Sequence, residues 1–150
     1  MGRTRADKLI EQYGKFSPMS MNEAGALAKK MFADTPASRE EAEILLGACG
    51  LFEPNDRGWR HLVSQEIRRH LLDHEEAAGT LPDGAEDWLI ATLATLQVPS
   101  AITLELVQSI MLGADNATQR LGRIGLRSAL TCMKSAAREE AQHQASTALG

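Results

Sequence analysis

Residues 20–27 read Ser20-Met-Asn-Glu-Ala-Gly-Ala-Leu27, and residues 38–45 read Ser38-Arg-Glu-Glu-Ala-Glu-Ile-Leu45. Both follow the pattern Ser-x-x-Glu-Ala-x-x-Leu. A serine three places before a glutamate is the signature of a capping box, in which each side chain satisfies an orphan N–H of the first helical turn. The apolar residues that follow recur at helical spacing: Ala24, Leu27, Ala28, Met31 and Phe32 after the first start, Ala42, Leu45, Leu46, Cys49 and Phe52 after the second. Asp34-Thr35-Pro36 breaks the chain between them. Two copies are too few for a solenoid, and the two units read as independently capped amphipathic helices.

The same signals extend outward. Thr4 and Asp7 form a capping box for a first helix over about 5–16, with Leu9, Ile10, Tyr13 and Phe16 on one stripe, ended by Ser17-Pro18. Glu53-Pro54-Asn55-Asp56 is a turn, and a fourth helix is expected from about Gly58 to His74. A loop over Glu75–Pro82 follows. Asp83 as N-cap with Glu86 at N3 predicts a fifth helix through Trp88, Leu89, Leu93 and Leu96. Pro99-Ser100 divides it from a sixth over about 101–112. Gly113 to Asn116 stop that helix and cap a long seventh over about 117–142. No alternating apolar run flanks a hairpin turn, so no strand is expected. The fold class is all-α: a single bundle of about seven helices with short connections over residues 1–144, with residues 145–150 expected to fray.

Composition agrees. Apolar residues make up 43% of the 150, enough for a core, and aromatics only 4%. Cys49 and Cys132 have no metal-knuckle or disulfide spacing and read as buried, reduced thiols. The N-terminus has no apolar h-region and no stretch is long enough to span a bilayer, which points to the cytoplasm and away from membranes. The net charge of −4 is unevenly placed. Residues 39–93 carry five basic and twelve acidic residues, and residues 114–150 five basic and three acidic.

Three constellations could carry chemistry. His70 and His74 stand at i, i+4, so they lie one above the other on a helix, and Glu66 faces the same way one turn earlier. That spacing can hold a metal, and His70-Leu-Leu-Asp73-His74 resembles the inverted zinc-protease motif with aspartate in place of glutamate. The shorter aspartate would place a general base differently, and a third ligand is hard to nominate. Both histidines share the sector of Trp59, Val63 and Ile67, where a hydrogen-bonded structural histidine is the simpler reading. The second constellation is Arg120, Arg123, Arg127, Lys134 and Arg138. They project into one sector roughly 60° wide, separate from the apolar face of Leu121, Ile124, Cys132 and Ala136. Such a stripe can meet phosphates or an acidic protein. The absence of interleaved aromatics and the negative net charge argue against nucleic acid. The third is a set of carboxylates, among them Glu40, Glu41, Glu86 and Asp87, which sit at helix starts for dipole reasons. No EF-hand ladder, nucleophile elbow or phosphate loop is present. Gly122 and Gly125 fall inside a helix and read as close-packing positions.

The stretch Ala37-Ser-Arg-Glu-Glu-Ala-Glu-Ile-Leu-Leu, the segment from Trp59 to Leu72, and Asp87-Trp88-Leu89-Ile90 together resemble bacterial helical proteins akin to the TerB tellurite-resistance family, over about residues 17–112. The resemblance implies a cytoplasmic helical bundle of a stress or accessory system. The family opens each unit with Asp-Gly-x-Ile/Val-x-x-x-Glu, whose carboxylates engage metal. Here Asp-Gly is missing near Ala37, and Asp83-Gly84 lacks the apolar residue in step. The resemblance therefore carries the fold rather than that carboxylate site. The expectation is a non-enzymatic module, without an obligatory cofactor, that acts through a protein partner of acidic character. Two alternatives remain: a metal-binding protein using His70 and His74, and a phosphate or nucleic-acid binder using the basic stripe. Nothing in the residues sets the oligomeric state.

Overall fold

The computed structural model describes residues 3–53, 56–73 and 79–149. Seven α-helices account for it: α1 (Arg5–Phe16), α2 (Met21–Met31), α3 (Arg39–Gly47), α4 (Arg57–Leu72), α5 (Ala85–Thr95), α6 (Ser100–Gly113) and α7 (Gln119–Leu149), with a 3₁₀ turn at Ala48–Leu51. There is no strand among the described residues. The bundle expected from the sequence is the bundle observed.

Three of the four predicted capping boxes form, at Thr4 and Asp7, Ser20 and Glu23, and Ser38 and Glu41. Other boundaries differ, and α7 runs to Leu149, past the end expected near 142 and into the stretch expected to fray. The stripe that continues past Leu46 belongs to the tighter turn after α3, where Cys49 is buried. Helix α5 is not capped by Asp83. Gly84, at φ 78°, precedes its first turn without a side-chain cap. The Glu86 carboxylate meant for that box is taken by Thr118, the residue before α7, which donates to it from both its N–H (3.2 Å) and its hydroxyl (2.5 Å).

Helix α4 is the central strut. It packs on α2 along one side and α6 along another, while α1 closes over α2 and α3. Where α1, α4 and the 3₁₀ turn meet, the rings of Tyr13, Phe52 and Trp59 stack edge to face and tilted, with centroids 4.5–5.1 Å apart. Such pairs favour this geometry because ring edges carry positive and faces negative charge. Asp56 caps α4 by accepting from Trp59 N (3.1 Å) and also accepts from the Tyr13 hydroxyl (2.5 Å). A second tie joins α1 to α3: Arg5 donates to both carboxylate oxygens of Glu41 (3.0 and 2.7 Å) and to the carbonyls of Thr35 and Pro36 (3.1 and 3.2 Å).

Helices α6 and α7 run antiparallel at very short range. A Cβ on Gly125 would lie 2.9 Å from Val107 Cγ1, and one on Gly122 would lie 3.3 Å from Met111 Cε. These glycines are close-packing positions, as the sequence suggested. The free cysteines separate: Cys49 is buried, and burial pushes its thiol up to about 12, whereas Cys132 is only half-buried. The expectation of two buried thiols fails at Cys132 because α7 is losing its neighbours there.

Candidate functional site

The root of α7 is held from three directions. The Asn116 side chain accepts from Leu81 N (2.8 Å) and donates to Leu81 O (3.1 Å). Asp115 N donates to Gly79 O (2.9 Å). Thr118 binds Glu86 as described, and its hydroxyl also accepts from Arg120 N (3.2 Å) in the first turn of the helix. Arg120 then reaches Asp87 on α5 at 2.6 Å, and that hydrogen bond holds its guanidinium more firmly protonated.

Past this root the helix leaves the body. Leu121, Gly125 and Ser128 are buried against α6, but every described side chain from Met133 to Ala145 is exposed. At about 1.5 Å per residue that is some 20 Å of unaccompanied helix. Four members of the basic stripe, Arg123, Arg127, Lys134 and Arg138, are exposed along it. Among the described residues no carboxylate comes within ion-pair distance of any of the four. The fifth member, Arg120, is already committed to Asp87.

Beside the stripe lies a feature the sequence reading passed over. Leu126, Leu130 and Met133 are exposed at 63%, 48% and 67%. They sit on neither the buried face nor the basic one.

The metal candidates are placed differently from one another. Glu66 is buried in the floor of a cleft of about 620 Å³ between α2 and α4, lined also by Gly25, Ala28, Phe32, His61 and Arg69. Arg69 donates to both of its oxygens (3.3 and 3.2 Å) and to Phe32 O (3.1 Å). Burial holds the Glu66 carboxyl above the ordinary carboxylate range, and Arg69 offsets only part of that. His70 turns elsewhere: its Nδ1 lies 2.7 Å from Ala37 O, and its ring meets Trp88 edge to face at 5.4 Å. His74 lies outside the described residues. No group of three or more potential ligands gathers among the described residues. Glu66 and His70 thus serve separate contacts, one with Arg69 in the cleft and one with the backbone before α3.

No described helix is long and apolar enough to cross a membrane. Compared with known proteins, the chain matches no family model, no curated protein and no solved structure.

Proposed function

We propose that this chain is a non-enzymatic helical module that holds an acidic protein partner on α7, in the manner of an accessory component of a bacterial stress system in the cytoplasm. The TerB-like resemblance of residues 17–112 motivates the setting. The observation that carries the docking reading is the row Arg123, Arg127, Lys134 and Arg138, exposed and without an ion-pair partner among the described residues. A row of like charges favours a partner of the opposite sign.

Charge reversal tests it. Exposed ion pairs and charges contribute roughly 0–1 kcal/mol each to stability, so the double substitution Arg123→Glu, Arg127→Glu should leave the circular dichroism spectrum and melting temperature nearly unchanged. Acidic proteins retained by the parent chain at low salt should be lost by the variant, and the parent should itself lose them as salt screens the contact. Retention of the same proteins by both chains would make the stripe a solvated face. Unfolding of the variant would make the arginines structural.

A further inference from the structure

Leu126, Leu130, Met133 and Ala137 follow one another at steps of four, three and four. That alternation is the seam of a coiled coil, because it keeps one narrow line of the helix facing a neighbour. In this structure the line faces outward: the three large side chains are about half to two-thirds exposed, and Ala137 is exposed too. The helix already has a buried face on α6, made by Leu121, Gly125 and Ser128. The seam is therefore a second apolar face, turned well over 90° away by the 3.6-residue period.

Its two flanks are unlike. On one side, Arg120, Arg127 and Lys134 recur every seven residues. On the other, Gly122, Ala129 and Ala136 recur at the same interval and carry no charge. This asymmetry selects the occupant. Two copies lying antiparallel would set basic flank against basic flank. Two copies lying parallel would set the basic flank against glycine and alanine. In neither arrangement does a carboxylate come opposite Arg127 or Lys134. Glu140, the next position of the seam, comes opposite Arg123 in the antiparallel pair and leaves the basic flank unpaired. A helix of another protein with glutamates or aspartates beside its own apolar seam would meet Arg127 and Lys134 on one side and approach closely over the small residues on the other.

We infer that the acidic partner presents an amphipathic α-helix, which lies along α7 and covers Leu126, Leu130, Met133 and Ala137 while its carboxylates pair with Arg127 and Lys134. The inference rests on the docking reading above and adds the shape of the partner to its charge. It also gives the outer part of α7 the packing that an isolated helix in water lacks.

The test uses the full chain and two synthetic acidic peptides about three heptads long. One carries leucines in seam register flanked by glutamates. The other has the same composition with the leucines out of register. Fluorescence anisotropy is measured on the parent, on Leu130→Ser with Met133→Ser, and on Arg123→Glu with Arg127→Glu. All substituted positions are exposed, and unchanged melting temperatures verify the fold. The expected result is that the in-register peptide binds at least about tenfold more tightly than its control. Each double variant should lose that preference. Equal binding of the two peptides, abolished only by charge reversal, would overturn the helix proposal and leave the acidic-partner reading standing. Failure of both peptides to bind would overturn both. Sedimentation of the chain alone at micromolar concentration covers the remaining occupant: a dimer that the Leu130→Ser, Met133→Ser variant dissolves would mean that a second copy covers the seam, and would also overturn the proposal.

Discussion

The hydroxyl of Tyr13 on α1 donates to the Asp56 carboxylate at 2.5 Å, and the same oxygen accepts the Trp59 N–H that opens α4. One buried carboxylate thus caps the central helix and fixes where the first helix crosses it. A hydrogen bond to a charged group is worth about 1.5–3 kcal/mol, and leaving a buried partner unsatisfied costs a comparable amount. Tyr13→Phe should lower unfolding stability by about 1–2 kcal/mol, since Asp56 keeps its bond to Trp59. Asp56→Ala should cost more, about 2–4 kcal/mol, because it removes the cap and leaves the buried hydroxyl, which still accepts from Met19 N, without an acceptor of its own. Urea unfolding would check the order, and equal losses would show that the Asp56 cap on Trp59 N adds nothing beyond the tyrosine contact.

Two glycines inside helices should respond in opposite directions to alanine. A Cβ on Gly58 would lie 2.3 Å from Met19 O and 2.8 Å from the Tyr13 hydroxyl, whereas nothing comes within 4 Å of one on Gly25. Gly25→Ala should stabilise by about 0.5–1 kcal/mol through helix propensity alone. Gly58→Ala gains the same propensity but forces α4 away from backbone, and a net loss on the order of 2–3 kcal/mol is expected. Thermal melts of the two variants should move to opposite sides of the parent.

Acid should release the tie between Arg5 and Glu41. Burial by itself raises the Glu41 carboxyl, but the Arg5 hydrogen bonds and the Ser38 N–H overcome that and hold it down at about 2. The folded value lies below the unfolded one, so this contribution is present above about pH 4.5 and is lost as pH falls toward 2. Its size is about 3 kcal/mol at neutral pH. Comparing Glu41→Gln with the parent from pH 7 to pH 2 should show a stability gap that closes across that interval. A gap unchanged at pH 2.5 would contradict the assignment.

Glu66 has the opposite sign. Its folded value is raised by burial, so its contribution is present below the unfolded value and lost as pH rises through the folded one. The ionised carboxylate is then a cost carried at neutral pH. Glu66→Gln keeps an acceptor for Arg69 and should raise stability at pH 8 by on the order of 1 kcal/mol. The advantage should disappear near pH 4. A variant less stable than the parent at pH 8 would mean that the ion pair with Arg69 outweighs the burial.

Local signals carried most of the fold. Capping boxes at Ser20 and Ser38 are complete within four residues, so no tertiary information is needed to place α2 and α3. Asp56 was legible in principle, as an aspartate just before Arg57-Gly58-Trp59, but it reads equally well as the end of the preceding turn. The start of α5 was lost because Glu86 has two possible partners, Ser/Asp-type capping within its own helix or Thr118 beyond it, and only the fold brings Thr118 within 2.5 Å. The proposed docking surface was half legible. Periodicity collects Arg123, Arg127, Lys134 and Arg138 on one face. It also finds two apolar faces on α7, one through Leu121 and one through Leu126, and a helical wheel cannot say which of them α6 covers. Val107 settles that by lying against Gly125.

The clamp at Gly122 and Gly125 has a consequence for everything farther along α7. A flexible tail would merely keep a bound protein nearby, over a wide volume of positions. A helix gripped at its base acts instead as a spoke, with a set reach and a set heading. Its angular phase is also rigid, since each residue turns the distal part by about 100°. Deleting Ser135 alone would leave Leu126, Leu130 and Lys134 where they are and swing Arg138 out of line with them. Restoring a residue just before Arg138 would swing it back. A partner held on α7 as proposed would therefore be addressed by orientation as well as by distance, and the length of this helix would matter to the single residue.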